Sequence, residues 1–102
     1  MRYQLVLQLG DSSKEGYNTM IELEEVLIDE IGNLGDVDGH DCGSGTTNIF
    51  IHTDNPKSAF TRIQNLPAVK ALLPRLRVAY RDMEGEEFTI LHPPGLADFA
   101  VV

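Results

Sequence analysis

The chain has 102 residues, 42% hydrophobic and 24% charged side chains, and a formal net charge of −8. That describes one folded domain with a single core, and it argues against a disordered chain. The acidic balance disfavours binding to phosphate backbones, and no apolar run reaches the roughly 18 residues of a membrane span, so neither nucleic acid nor membrane is an expected partner.

The charge is uneven: residues 1–41 hold ten of the 16 acidic side chains and two of the eight basic ones. An acidic face of this kind serves solubility or steers a basic protein partner. A single cysteine, Cys42, excludes an internal disulfide. Met1-Arg2 leads straight into a strand-like run without the apolar core of a signal peptide, so a cytoplasmic location is expected.

Residues 2–9 alternate, with Tyr3, Leu5, Leu7 and Leu9 on one side and Gln4, Val6 and Gln8 on the other. Period two predicts a strand with one buried face. Residues 10–16 are polar and glycine-rich and predict a loop. Thr19 with Glu22 fits a capping box, and Met20, Leu23, Leu27 and Ile31 make the apolar stripe of a helix over 19–31, stopped by Gly32.

The densest polar punctuation follows, Asp38-Gly-His-Asp-Cys-Gly-Ser-Gly-Thr-Thr-Asn-Ile-Phe-Ile-His-Thr53. Residues 37–42 and 47–53 predict two strands joined across Gly43-Ser44-Gly45-Thr46, where glycine supplies the positive φ of a tight or bulged turn. Asp54-Asn55-Pro56 launches a second helix with Ala59, Phe60, Ile63 and Leu66 inward, ended by Pro67. Leu76, Val78 and Tyr80 then alternate with Arg75, Arg77, Ala79 and Arg81 as a strand. A turn at 83–86 leads to a short strand over 87–92, broken by Pro93-Pro94-Gly95. The tail, 95–102, either packs on the body or frays.

Strand, helix, strand, strand, helix, strand is the order of two split βαβ units. It predicts an α+β, ferredoxin-like βαββαβ fold: an antiparallel sheet with two helices on one face, plus one extra C-terminal hairpin strand. Right-handed crossovers put the first and third strands in the middle. The stretch Asp38-Gly-His-Asp-x-Gly-Ser-Gly-x-x-Asn48-Ile-Phe-Ile, with Thr53-Asp-Asn-Pro56 and Ala79-Tyr80-Arg81-Asp82, resembles a family of small uncharacterised bacterial proteins with a ferredoxin-like fold. The resemblance covers roughly residues 3–93 and implies the fold alone.

Asp38, His40, Asp41, Ser44, Asn48 and His52 are the candidate ligand-binding residues. Imidazoles and carboxylates on neighbouring strands could meet a metal, but their spacing matches no metal motif, and in a regular strand Asp41 faces away from Asp38 and His40. The competing reading is local bonding that holds a glycine-rich hairpin. No nucleophile elbow surrounds Ser44, and the 10–16 loop lacks the arginine that ferredoxin-like acylphosphatases place there. Neither a metal nor a cofactor is expected, and an enzyme is the minor reading.

The sheet face away from the helices should carry Val6 and Phe50 at its centre, with Arg75, Arg77 and Arg81 on its rim. One aromatic and a charge of −8 do not suit an RNA-binding sheet. An apolar centre with a charged rim suits a protein interface, and a homodimer through this face is the expectation. The leading functional expectation is a small non-enzymatic binding or interaction domain; the alternative places an enzyme or small-ligand site at the 38–48 hairpin.

Overall fold

A computed structural model describes residues 1–101. Five antiparallel strands form one open sheet: β1 (Tyr3–Leu9), β2 (Asp36–Gly43), β3 (Thr46–Thr53), β4 (Leu76–Asp82) and β5 (Thr89–His92), in the order β2-β3-β1-β4-β5. Helix α1 (Lys14–Glu30) joins β1 to β2, and α2 (Pro56–Ile63) and α3 (Pro67–Leu72) join β3 to β4. The architecture is α+β.

Alternation along the strands fixes what lies under the helices. β1 pairs with β3 as Leu5↔Ile51 and Leu7↔Ile49, and with β4 as Leu7↔Val78 and Leu9↔Leu76. These side chains form one cluster with Met20, Leu23, Leu27 and Ile31 from α1, Ala59, Phe60 and Ile63 from α2, and Val69 from α3. All three helices therefore pack on one face. Burying each large aliphatic side chain contributes about 2 kcal/mol.

Helix α1 begins five residues before the expected capping box. Ser13, not Thr19, is the N-cap: its hydroxyl accepts the Gly16 N–H at 3.2 Å. Gly16 is required because a Cβ there would lie 2.7 Å from the Asp11 carbonyl oxygen. The glycine that suggested a loop is thus a close contact inside the first helical turn. Helix α2 stops at Ile63, short of the expected Pro67, and Pro67 instead opens α3 at its first position, where its missing N–H costs nothing. Asn55 caps α2, accepting from the Ser58 N–H at 3.1 Å.

The β2–β3 turn has the backbone signature of a type I′ turn. Gly43 pairs with Thr46, and the two residues between them, Ser44 (φ 52°) and Gly45 (φ 83°), both have positive φ. Strand β2 also carries a bulge: Val37 faces Ile51 and Gly39 faces Phe50, leaving Asp38 as the extra residue. The segment between β4 and β5 is a longer loop, 83–88, rather than a tight turn at 83–86.

The second face of the sheet is not open. Val6 and Ala79, opposite each other on β1 and β4, are wholly buried, and Gln8 is 2% exposed. The chain's own C-terminal segment lies against this face: the Ala100 carbonyl accepts a hydrogen bond from Gln8 Nε2 at 2.8 Å, and the Phe99 ring sits 4.9 Å from that of Phe88. The tail packs. Val6, expected at the centre of an interface with a second copy, is interior instead.

Candidate functional site

The bulge at Asp38 divides the predicted site residues between the two sides of the sheet. Beyond it, His40 and Cys42 point toward the helices, while Asp38 joins Asp41, Asn48 and His52 on the second face. The expectation that Asp38 and His40 share a side is corrected by that one extra residue. Asp38 lies 3.4 Å from His52 Nε2, an exposed pair at the sheet margin. Ser44 serves the turn.

On the helix side, His40 lies between two residues of α1. Its Nδ1 is 3.0 Å from the Glu24 carboxylate and its Nε2 is 3.4 Å from the Tyr17 hydroxyl. The carboxylate at Nδ1 and the phenol at Nε2 together fix the orientation of the ring. Tyr17 and Glu24 are seven residues apart on α1 and so share a stripe, a spacing that could have pointed to this pairing. Cys42 is exposed, with its thiol 3.5 Å from the Ser12 carbonyl and 3.3 Å from the Thr47 hydroxyl. Among the described residues no three His, Cys, Asp or Glu side chains are grouped so as to hold a metal ion.

On the second face, polar side chains link in a row across three strands. Asn48 Nδ2 donates to Asp41 Oδ1 at 2.9 Å, and Gln8 Nε2 donates to Asn48 Oδ1 at 3.0 Å and to the Ala100 carbonyl. Gln8 and Asn48 are both buried, so each bond replaces one that water can no longer make. The carboxylate of Asp41 orients Asn48, Asn48 orients Gln8, and Gln8 presents one N–H beyond the row.

Elsewhere on this face opens a pocket of about 620 Å³, lined by Gln4, Phe50, Arg81, Phe88, Val101 and residues 83–86 of the loop. Phe50, Phe88, Met83 and Val101 supply apolar lining. Arg81 holds the loop in place: its Nε donates to Gln4 Oε1 at 3.1 Å, and its Nη1 to the carbonyls of Asp82, Met83 and Gly85 at 3.2, 3.2 and 3.1 Å.

Two of the three arginines expected on an interface rim, Arg75 and Arg81, have partners within the chain. Arg75 lies 3.8 Å from the Asp11 carboxylate, and Arg77 lies over Gly10, where a Cβ would be 3.3 Å from its Nη2. The Asp11 carboxyl is held below its ordinary value by hydrogen bonds from Ser13, with a smaller contribution from Arg75. Asp82 is lowered too, by the Glu84 backbone N–H and then by Arg2, whose Nε lies 3.0 Å away. Arg2 is raised by the same contact.

No family model, curated protein or solved structure matches this chain. Among the described residues, no helix is long and apolar enough to cross a membrane.

Proposed function

We propose that this chain is a small, non-enzymatic binding domain on a ferredoxin-like plan, and that it takes its ligand on the second face of the sheet. The strand order β2-β3-β1-β4, with β5 added outside β4 and helical crossovers on one face, supports the plan. The resemblance over residues 38–51 belongs to the same reading.

The observation that carries the functional reading is the pocket bounded by Gln4, Phe50 and Arg81. Its volume is that of a small-molecule or peptide side-chain site, and its walls set Phe50, Met83, Phe88 and Val101 among a larger polar share from Gln4, Arg81, Glu84 and Glu86. None of its three charged residues favours an anion. The Nε and Nη1 groups of Arg81 are taken up by protein oxygens, and Glu84 and Glu86 stand exposed among its lining residues. The ligand proposed is not anionic and carries an amide group to meet the Gln4 carboxamide. A second copy of the chain fits less well, because Val6 is already covered.

Nuclear magnetic resonance with a library of neutral aromatic amides tests this reading. Shifts should gather at Gln4, Phe50, Arg81 and Phe88, and Phe50→Glu should abolish them by placing an uncompensated charge in the pocket wall. Shifts gathered instead around Tyr17 and His40, or no shifts at all, would count against it.

One observation favours a second reading. The Glu24–His40–Tyr17 row has the form of a proton relay, in which a carboxylate orients an imidazole against a hydroxyl. An enzyme using this flank would lose activity in His40→Gln and keep it in Phe50→Glu.

A further inference from the structure

The C-terminal segment lies along the face proposed to bind and walls the pocket there at Val101, and the manner of its seating describes a ligand for that face. Phe99 and Val101 are half-buried while Ala100 between them is exposed, so alternate side chains face the sheet as in an extended chain. Phe99 meets Phe88, the Ala100 carbonyl takes the N–H presented by Gln8, and Val101 lines the pocket with Gln4 and Phe50. Main chain is thus read by one prepared donor, and side chains are read by two apolar contacts, one on each side of it. This combination of backbone bond and flanking pockets is how extended peptides are recognised.

The attachment is slight. The segment forms no helix or strand. Among the described residues its hydrogen bonds are the one from Gln8 and a 3.3 Å bond from the Leu96 N–H to the Pro93 carbonyl. The groove itself is prepared without it, because Asp41 and Asn48 orient Gln8, and Arg81 fixes the loop that bears Phe88.

We infer that residues 96–101 are an internal stand-in for a partner, and that the partner is a protein presenting an extended segment with an aromatic residue, a small residue and an aliphatic residue in succession. This rests on the second face being the binding surface. The segment hides that surface until the partner competes for it. Because it competes from within the chain, at an effective concentration of roughly millimolar, it sets a threshold that weak apolar contacts do not pass.

The test uses the intact isotope-labelled chain and a synthetic peptide, blocked at both ends, with the sequence of residues 95–101. Adding peptide to the intact chain should shift the Gln8 side-chain amide and the Phe50 and Phe88 amides, while the amides of residues 96–101 move to unstructured positions. Phe99→Ala, which loosens the internal segment, should bind the same peptide about tenfold more tightly. A peptide with alanine in place of its phenylalanine should not bind. A folded Phe99→Ala chain that ignores the peptide would overturn the inference. If that variant does not fold, the intact chain decides, and failure to release its segment at several millimolar peptide overturns the inference equally. If neutral amides bind the pocket but the peptide does not, this inference alone fails; if neither binds, the reading of the pocket fails with it.

Discussion

Ser44 holds a φ of 52° and Gly45 a φ of 83°, conformations that a side chain with a Cβ enters only at a cost. Gly45→Ala should destabilise the protein by about 1 kcal/mol, and Ser44→Gly should not, since glycine relieves the strain that serine bears. Urea midpoints for the two variants check this; equal losses would contradict it. Gly43 differs from Gly45, because its φ of 158° approaches the extended range. The turn was legible in the sequence because Gly-Ser-Gly falls between two strand-like runs. The bulge at Asp38 was not, since one extra residue leaves no mark on composition, yet it decides which side of the sheet Asp38 occupies. Gln8 and Asn48 were legible as neighbours on one face, and they pair directly in the register of β1 and β3.

At the scale of elements, the entry to α1 depends on one carboxylate. Asp11 Oδ1 accepts the Ser13 N–H at 2.8 Å, Ser13 caps the helix, and the Asp11 carbonyl accepts from the Thr47 hydroxyl at 2.8 Å. Folding holds the carboxyls of Asp11 and Asp82 below their ordinary value of 3.8. A carboxyl lowered by folding stabilises the protein above its unfolded value, and that contribution is lost as pH falls through its lower folded value. Stability should therefore decline from about pH 4 downward. Asp11→Asn should be less stable at neutral pH and show a shallower decline. Unfolding free energies measured between about pH 2 and 6 check this, and a slope unchanged by the substitution would count against it. Periodicity showed where α1 packs but not where it starts. Gly16 resembled a loop residue because its reason, the nearness of the Asp11 main chain, is tertiary. The helix opened by Pro67 was hidden in the same way, since proline punctuates both the end of one helix and the start of another.

Over the whole molecule, the sheet is covered twice, by three helices on one face and by the C-terminal segment on the other. The first cover was readable from alternation, because every apolar strand position on that side has a helical stripe to meet it. The second was not, because Leu96 to Val101 carry no period, and a short apolar tail reads equally as packed or frayed. What the sequence showed as an apolar centre awaiting a partner is a groove already holding part of its own chain. The Gln8 carboxamide lies under that cover and bonds to both the sheet and the segment. Proton exchange at this carboxamide, followed by nuclear magnetic resonance, reads the cover directly. Slow exchange in the intact chain, with magnetisation passing between the Phe88 and Phe99 rings and exchange quickened in Phe99→Ala, is the predicted result. Exchange as fast as in a free glutamine, with no contact between those rings, would contradict it.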